Sequence, residues 1–539
     1  MPPLSLCARR FVLGLRTIAN ALSPRPLHLL SVALLLATAM PAGRAQAQPP
    51  EPEEPEPFIE PAESHDMTEV RAVVEAQPAK NGRWDTLHFR MPINPVHVAL
   101  MRNGKVLVIA GSGNDPDNRR WQAAVWEPTG NTVRTFNLTW DMFCNGMVIL
   151  PDGRPFVLGG TLKYDPFIGE PRTSAFDPAT EKFSALPKMS GGRWYPTGTV
   201  LGDGSVLVDS GLNDANGKMN RTVQIWKRGA WTAAGTIFSG VPLYPRQHLL
   251  PNGKVFLSGA SRDSRIYDPR AHTFTTIATT LFDRPRDYGT SVLLPLTPAQ
   301  GWKPKVMILG GSGPMATDTT ELIDLSVATP KWVAGPKMVK GRIHLNATLL
   351  PNGKVLVSGG SEKDEDGATA VEEAQLYDPE SNSFAPASTM ELPRLYHSTT
   401  LLLPDATVAA LGGNPRRRRY QSEVEIYSPP YLFNADGSPA KRPTLGRITP
   451  AGALRYGAPL QVRTPDALHV SSLVLVRAGA VTHAFDMEQR LVGLSFTPEA
   501  GVLKAKAPAN GNLAPPGYYL LFIVGDKGVP SMAKFVRLM

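Results

Sequence analysis

The sequence of 539 residues is poor in cysteine and contains only Cys7 and Cys144. Cys7 falls in an N-terminal region that has the pattern of a secretory signal peptide, with cleavage near Ala47. The exported chain would then carry one thiol, which excludes an internal disulfide. From this observation alone, Cys144 is either a buried, inert thiol or a thiol with a chemical role.

Long hydrophobic runs are also scarce. Residues 27–42 form the one uncharged run that approaches the length needed to cross a bilayer, and several arginines precede it. This scarcity excludes a polytopic membrane protein. We predict that residues 1–47 are a signal peptide and that the protein is secreted or periplasmic, without an integral membrane domain. A signal anchor is the competing interpretation of the same run.

Charged residues make up only 19% of the chain and hydrophobic residues 42%, a globular composition that excludes a disordered chain or a coiled coil. The 48 glycines and 52 prolines follow no three-residue period, which excludes collagen. Much of the net charge of +9 comes from arginines before residue 47, so the sequence gives no case for a nucleic-acid partner. The basic run at 416–419 is interpreted as a solvated loop.

Helical periodicity of useful length is missing after the signal, and a repeated phrase takes its place. A turn, an apolar β-branched run and a glycine-rich bend recur seven times, for example in RNGKVLVIAGSG from Arg102 and PNGKVLVSGGS from Pro351. The spacing of the copies, about 50 residues, is that of kelch propeller blades. The turn positions are Gly104, Gly153, Gly204, Gly253, Lys305, Gly353 and Ala406.

Each repeat reads as short strands separated by Asx-Gly, Gly-Gly and Asp-Pro turns. One such unit cannot bury both of its faces, whereas seven stacked radially can. We therefore predict an all-β protein with a seven-bladed kelch-type β-propeller at 84–435. A Pro/Glu-rich linker at 48–83 precedes it, and an immunoglobulin-like β-sandwich at 436–539 follows it.

Residues capable of chemistry recur just before the repeated phrases, at equivalent positions along the axis of the predicted propeller. They are Cys144, Tyr195, His248, His344, Tyr396 and His397. Taken singly, each is explained as a packed aromatic or a hydrogen-bonded histidine. Taken together, they bring sulfur, nitrogen and oxygen donors to one axis, a mixture that suits copper. The residues themselves indicate a transition-metal site and do not identify it further.

Four motifs carry a resemblance to a known family. They are DMFC at 141–144, RWYPT at 193–197, LYHS at 395–398 and VTHAFDMEQR at 481–490. On these motifs the chain resembles the galactose oxidase/glyoxal oxidase family of copper radical oxidases, closer to glyoxal oxidase, over about residues 84–539.

The resemblance implies a cofactor made of one copper ion and a modified tyrosine. Cys144 would be joined by a thioether bond to the ring of Tyr195, which would bind copper and hold a radical. His397 and His483 would be the imidazole ligands. Tyr396 would be the axial ligand and the general base. The implied reaction oxidises an aldehyde or alcohol with O2 and forms H2O2.

Two departures from the family pattern bear on the substrate. Galactose-active members carry an N-terminal carbohydrate-binding domain, which residues 48–83 are too short to form. They also place an arginine after the tyrosine of a Leu-Tyr-Arg motif, whereas Pro245 follows Tyr244 here. We therefore expect small aldehydes of the glyoxal or methylglyoxal type, or primary alcohols, as substrates.

The shielding tryptophan of the family has no secure match either: Trp194 precedes Tyr195, but the sequence assigns it no role, and packing between blades is its ordinary explanation. We expect a monomer. Two alternatives to the small-aldehyde oxidase stay open: a non-catalytic kelch propeller that binds glycan or protein, and a galactose-type alcohol oxidase.

Overall fold

The computed structural model describes residues 77–313, 315–416 and 418–539. The predicted signal peptide, residues 48–76 of the predicted linker and Arg417 lie outside the described residues. Within those ranges the one α-helix, α1, spans Pro78–Asn81, and no helix there is long and apolar enough to cross a membrane. Short 3-10 helices lie at Pro298–Gln300, Gly367–Thr369, Pro430–Leu432 and Ala467–His469.

Strands dominate the described chain, which confirms the predicted all-β class. The strands up to the end of the repeats are β1 (Arg83–Arg90), β2 (His97–Leu100), β3 (Val106–Gly111), β4 (Gln122–Glu127), β5 (Thr132–Asn137), β6 (Gly146–Ile149), β7 (Pro155–Leu158), β8 (Thr161–Lys163), β9 (Ile168–Gly169), β10 (Thr173–Asp177), β11 (Lys182–Leu186), β12 (Thr197–Val200), β13 (Val206–Asp209), β14 (Thr222–Lys227), β15 (Ala230–Thr236), β16 (Arg246–Leu249), β17 (Val255–Gly259), β18 (Asp263–Asp268), β19 (Thr273–Thr279), β20 (Thr290–Leu293), β21 (Lys305–Leu309), β22 (Thr320–Asp324), β23 (Trp332–Ala334), β24 (Asn346–Leu349), β25 (Val355–Ser358), β26 (Glu373–Asp378), β27 (Ser383–Thr389), β28 (Ser398–Leu402), β29 (Val408–Gly412) and β30 (Glu423–Ser428).

The repeated turn has a local physical cause. In six copies the side chain of an Asn or Asp accepts the backbone N–H two residues later. The residue between them adopts a left-handed backbone, as at Gly104 with φ +84°, where glycine is favoured. The acceptors are Asn103, Asp152, Asp203, Asn252, Asn352 and Asp405. These contacts fix the hairpin that joins the first two strands in six of the seven repeats.

The repeats of the described chain form seven antiparallel sheets. Six have the orders β2-β3-β4-β5, β6-β7-β10-β11, β12-β13-β14-β15, β16-β17-β18-β19, β20-β21-β22-β23 and β24-β25-β26-β27. Their innermost strands contact one another in sequence from β2 to β28, and β28 contacts β2 again. This closed ring supports the predicted count of seven blades, which stays a prediction.

The seventh sheet joins the two ends of the repeat region. Its order is β28-β29-β30-β1, so the first strand of the described chain completes the last sheet. Trp84 of β1 faces Tyr427 of β30, with ring centroids 4.9 Å apart, and its Nε1 donates to the Ser388 carbonyl at 3.0 Å. The N-terminal strand therefore holds the ring closed.

The C-terminal region forms two further sheets with their own core. Its strands are β31 (Ile448–Thr449), β32 (Ala453–Leu454), β33 (Pro459–Arg463), β34 (Val470–Arg477), β35 (Ala480–Thr482), β36 (Phe485–Asp486), β37 (Leu491–Leu494), β38 (Phe496–Glu499), β39 (Val502–Lys506), β40 (Gly517–Gly525) and β41 (Lys534–Leu538). The sheets have the orders β31-β33-β39-β38 and β32-β41-β40-β34-β37. Leu473, Leu521 and Tyr519 are fully buried in this core.

One hairpin, β35–β36, leaves the C-terminal sheets and joins the ring. β35 pairs with β2, with Thr482 opposite His97, and extends the first sheet to six strands. The residues after the hairpin bind the inner strands: Glu488 accepts the Ile149 N–H at 3.0 Å, and Gln489 donates to the Ala347 carbonyl at 2.9 Å. The motif at 481–490 therefore enters the ring and is held inside it.

Buried arginines fix the segments that precede the inner strands. Arg394 donates from Nη1 to the Gly412 carbonyl at 2.9 Å, from Nη2 to the Glu423 carbonyl at 2.8 Å and from Nε to Glu425 at 2.9 Å. Arg193, Arg286 and Arg342 make equivalent carbonyl contacts in other sheets. The arginines hold each segment against the end of its own sheet.

Replacing Arg394 with Met should lower the free energy of unfolding by about 3–5 kcal/mol, because it leaves the buried carboxylate of Glu425 without its partner. Urea unfolding followed by tryptophan fluorescence measures the change. The matched control is Arg418→Met, since Arg418 is exposed, and it should change stability by less than about 0.5 kcal/mol. Equal effects of the two variants would contradict the structural role of Arg394.

Candidate metal centre

Six side chains with metal-binding or redox chemistry stand at equivalent positions of successive sheets, one or two residues before the innermost strand. They are Cys144, Tyr195, Tyr244, Tyr288, His344 and His397, with φ of 60°, 65°, 44°, 54°, 59° and 65°. A positive φ is uncommon outside glycine and costs on the order of 1–3 kcal/mol at each position. The shared conformation turns all six side chains to the same end of the ring.

The structure brings the five predicted site residues together at this end. His483 Nε2 lies 2.9 Å from the Tyr195 hydroxyl and 3.9 Å from Cys144 Sγ. The Tyr195 and Tyr396 hydroxyls are hydrogen-bonded to each other. The donor atoms of Cys144, His397 and His483 lie within 4.8 Å of one another, as the ligands of a single ion must.

His483 comes from the turn of the β35–β36 hairpin, where it has φ of 46°. Its Nδ1 lies 2.6 Å from Thr482 Oγ1, and that hydroxyl donates to the Val96 carbonyl at 3.0 Å. The Thr482 hydroxyl proton is therefore donated to the Val96 carbonyl. The Thr482 hydroxyl oxygen is left to accept Nδ1–H of His483. This assigns the lone pair to Nε2, the atom that faces Tyr195 and Cys144.

His397 is oriented by a similar contact. Its Nδ1 lies 2.7 Å from Asn414 Oδ1, and the amide is fixed in turn because its Nδ2 donates to the Arg419 carbonyl at 2.6 Å. Because the amide oxygen is an acceptor, Nδ1 carries the proton and Nε2 the lone pair. Nε2 is fully buried without any hydrogen-bond partner among the described residues. A buried acceptor without a partner is costly unless it binds a ligand such as a metal ion.

Burial sets the protonation of these groups. It lowers the pKa of His397 to about 3 and that of His483 well below its usual value, and the facing imidazoles add to the effect on His483. Burial, followed by the nearby thiol and phenols, raises the pKa of Tyr195 above its ordinary range. The imidazoles are therefore neutral and ready to bind, whereas the phenols need a nearby cation to lose their protons.

The donor set fits copper. Two neutral imidazoles and two phenol oxygens are ligands that Cu(II) accepts, and the partnerless His397 Nε2 is satisfied by a metal at this position. Cys144 and Tyr195 belong to one buried cluster, and the backbone N–H of Tyr195 donates to the Cys144 carbonyl at 3.0 Å. Burial raises the pKa of the Cys144 thiol well above its ordinary value.

The structure gives Trp194, to which the sequence assigns no role, a place in the site. It stacks its indole on the ring of Tyr195, with centroids 3.7 Å apart and planes 7° from parallel. Phe167 stacks on the indole at 4.1 Å. Tyr244 stacks on Tyr195 at 4.4 Å and donates its hydroxyl to the Asn145 carbonyl at 2.6 Å. The Tyr195 ring is therefore enclosed by aromatic groups.

His97 is a site residue that the sequence did not reveal. It lies on β2, is fully buried, and its Nε2 accepts the backbone N–H of Cys144 at 3.0 Å. The same residue faces Thr482 across the β2–β35 pair. His97 thus positions both the thiol and the hairpin that carries His483. Its sequence context, PVHVAL, has no feature that would distinguish it from an ordinary strand.

The other two histidines of the predicted set, His248 and His344, have different environments. His248 lies inside β16, bonds to Ser291, and burial lowers its pKa to about 3, so it is a structural histidine of the ring. His344 lies beside the predicted axial residue, with its ring centroid 4.9 Å from that of Tyr396. It is bonded to Asp364, with 2.9 Å between Nε2 and Oδ1.

Comparisons with known proteins agree with this geometry. The family described as "Glyoxal oxidase N-terminus" matches residues 118–431, and the family described as "Galactose oxidase-like, Early set domain" matches residues 442–538. A solved structure titled as a fungal alcohol oxidase of the AA5 family, in complex with copper, has a TM-score of 0.75 and 26% identity. It covers 85% of this chain and 99% of its own.

Curated relatives have similar identities. An aldehyde oxidase GLOX of Vitis pseudoreticulata is 28% identical over 85% of this chain and 97% of its own length. A galactose oxidase of Gibberella zeae is 26% identical over 85% of this chain and 70% of its own. A WSC domain-containing protein of Arthroderma benhamiae is 29% identical over 85% of this chain, which spans 52% of that relative's length.

The fold and the copper-binding donor set thus define a copper-dependent oxidase. The glyoxal oxidase match covers more than half of the chain, and the chain belongs to the glyoxal oxidase/galactose oxidase family of copper radical oxidases. This confirms the resemblance seen in the sequence. It also decides against the non-catalytic kelch propeller.

Removing the Asn414 contact should weaken the site without unfolding it. Asn414→Leu leaves Nδ1–H of His397 without its acceptor, and we expect copper affinity to fall by about 10–100-fold, the usual cost of losing such a partner. Copper titration with a competing chelator measures the change. The control Asn414→Asp keeps an oxygen acceptor and should retain most of the affinity. Equal loss in both variants would contradict an orienting role for this hydrogen bond.

Proposed function

We propose that this chain is an exported copper radical oxidase that oxidises small hydrated aldehydes or primary alcohols with O2 and releases H2O2. In this proposal Tyr195, Tyr396, His397 and His483 bind one copper ion, and Cys144 is joined to Tyr195 by a thioether. Export rests on the signal-peptide pattern at 1–47. We further propose that the propeller ends near residue 435 and that the protein is a monomer.

The observation that carries the proposal is the convergence of the five side chains around a buried imidazole nitrogen without a partner. The Tyr195 hydroxyl touches His483 Nε2 and the Tyr396 hydroxyl, and Nε2 of His397 has no hydrogen bond to any described residue. Packing alone does not explain an unsatisfied acceptor in this position, because hydrogen bonding to a neighbour would cost less. A metal ion accounts for it.

The oxidation removes two electrons and two protons from the substrate. A bound copper ion supplies one of the two electron-accepting steps and, by its charge, keeps the phenols deprotonated. Tyr396 accepts the proton of the substrate hydroxyl at Oη. The oxidised Tyr195 phenoxyl takes a hydrogen atom from the substrate carbon, and it can do so because its oxygen lies next to that of Tyr396. O2 takes up the two electrons and two protons as H2O2.

The thioether bond forms between Sγ of Cys144 and the ring of Tyr195. One hydrogen leaves the thiol and one leaves the ring, and O2 accepts the two electrons and two protons as H2O2. Sulfur donates electron density to the ring, which makes the phenol easier to oxidise. The stacked Trp194 keeps water from the ring face, since its centroid lies 3.7 Å away. The bond also explains why an exported protein keeps a single thiol.

The surroundings of Tyr244 favour small substrates over galactose. The residue after Tyr244 is Pro245, and Arg246 is buried, with its Nη2 donating to the Arg286 carbonyl at 3.0 Å. Its Nη1 has no hydrogen-bond partner among the described residues, and because that atom is buried it is not accessible to a sugar. A galactose-type alcohol oxidase is the second candidate function. It would need an arginine contact to the sugar, which Arg246 does not provide.

The proposal is tested by measuring O2 consumption and peroxide formation in copper-loaded protein with glyoxal, methylglyoxal, simple primary alcohols and galactose. We expect peroxide with the small substrates and little with galactose. The intact mass should also decrease by two hydrogen atoms after copper and O2 treatment. Absence of both the peroxide and the mass change would end the proposal.

A further inference from the structure

The copper site is closed on most sides. Trp194 and Tyr244 stack on the Tyr195 ring at 3.7 and 4.4 Å, and at these distances the two rings must cover opposite faces. Phe143 packs edge-on against His397, with centroids 5.4 Å apart. A substrate therefore cannot approach through the faces of these rings.

The open side lies at Tyr396. Cys144 and His397 are fully buried, whereas Tyr396 and His483 are partly exposed. The next groups outward from Tyr396 are two rings: His344 at 4.9 Å and Tyr288 at 6.4 Å between centroids. Tyr288 is 48% exposed, so this side connects the site to solvent.

His344 is held in one orientation on this side. Its Nε2 lies 2.9 Å from Oδ1 of Asp364, whose side chain is 68% exposed, and its ring packs against Tyr288 at 4.7 Å. Because a carboxylate only accepts, Nε2 of His344 carries the proton and Nδ1 is left as an acceptor. His344 itself is 4% exposed, so its ring lies beside Tyr396 rather than in bulk water.

We propose that His344, positioned by Asp364, contacts the substrate and selects hydrated aldehydes over primary alcohols. The inference rests on the proposed function. A hydrated aldehyde carries two hydroxyls on the reacting carbon, and a primary alcohol carries one. While Tyr396 takes the proton of the first hydroxyl, the second donates to Nδ1 of His344. The alcohol has no second hydroxyl on that carbon and leaves this acceptor without a partner.

Methylglyoxal hydrate and hydroxyacetone test the inference, because they differ by one hydroxyl on the reacting carbon. The wild type should show a higher kcat/KM for methylglyoxal. His344→Phe should lower the ratio of the two kcat/KM values by about tenfold, the effect of one neutral hydrogen bond. His344→Gln keeps an acceptor and should recover part of the ratio. Asp364→Ala should lower the ratio by less than His344→Phe, since the acceptor remains but is no longer oriented.

The matched control is Glu362→Gln, which removes one negative charge from the same exposed loop without touching His344. It should leave the ratio unchanged. A second readout is calorimetric binding of both compounds to the Cys144→Ala variant, where His344→Phe should weaken methylglyoxal binding and spare hydroxyacetone. Copper content and the thioether mass verify that each variant is assembled. If His344→Phe does not fold, the ratio measured for Asp364→Ala tests the inference in its place.

An unchanged ratio in assembled His344→Phe and Asp364→Ala enzymes would overturn the inference while peroxide formation upheld the proposed function. A ratio that fell equally in Glu362→Gln would also overturn it, because the cause would then be loop charge. If wild-type protein formed neither the thioether nor peroxide, the proposed function itself would fail.

Discussion

Cys144→Ala is expected to abolish the loss of two hydrogens on copper treatment and to lower kcat by at least about a thousandfold, equivalent to about 4 kcal/mol in the barrier. The physical reason is that the unmodified phenol of Tyr195 is harder to oxidise without the sulfur substituent. It also lacks the covalent bond that holds the ring in position. Intact mass spectrometry and a peroxide assay on the same sample measure both effects.

The matched control is Tyr164→Phe, which removes a phenol near the site that bonds to Ser112 at 2.7 Å and is not a proposed ligand. It should still show the mass decrease. A Cys144→Ala enzyme that kept the mass decrease would assign the cross-link to other residues. One that kept wild-type kcat would show that the thioether has no part in the oxidation.

His483→Ala is expected to remove copper binding almost completely while the ring of sheets stays folded. A direct ligand contributes more than a supporting group, whose loss already costs about 10–100-fold in affinity, so the loss should exceed about a hundredfold. The fold should persist because β35 keeps its backbone pairing with β2 and the sheets retain their own cores. Metal analysis, circular dichroism and thermal unfolding separate the two effects.

His469→Ala is the control within the same C-terminal region, because the His469 side chain is 77% exposed and pairs with Asp526 rather than with the donor set. It should retain copper and activity. If His483→Ala unfolded the whole protein while His469→Ala did not, His483 would be a structural residue of the hairpin. If His483→Ala kept its copper, the proposed ligand set would be wrong.

The repeats and the five site residues could be predicted because their signals are local. The Asn-Gly-Lys turn at 103–105 defines a hairpin through one side-chain contact, and both partners of that contact lie within three consecutive residues. The motifs around Cys144 and His483 likewise keep each functional residue in a short recognisable context. Predictions of the roles of the five site residues, the domain boundaries, the export signal and the monomeric state remain to be tested.

Other features depend on contacts that adjacent residues do not encode. β1 closes the ring through pairing with β30, more than 300 residues away, and its sequence RWDTLHFR lacks the repeated phrase. The stacking of Trp194 on Tyr195 follows from the left-handed backbone at Tyr195, with φ of 65°, which no residue preference of tyrosine would predict. His97 acts through Cys144, 47 residues along the chain.

The hairpin at 480–486 has a consequence for biosynthesis. Because His483 follows every repeat in the sequence, a ribosome makes all the repeats before it makes this proposed copper ligand. Nascent or truncated chains that stop before residue 480 would therefore lack a complete set of ligands. Under the proposed function, a chain still on the ribosome therefore cannot form peroxide.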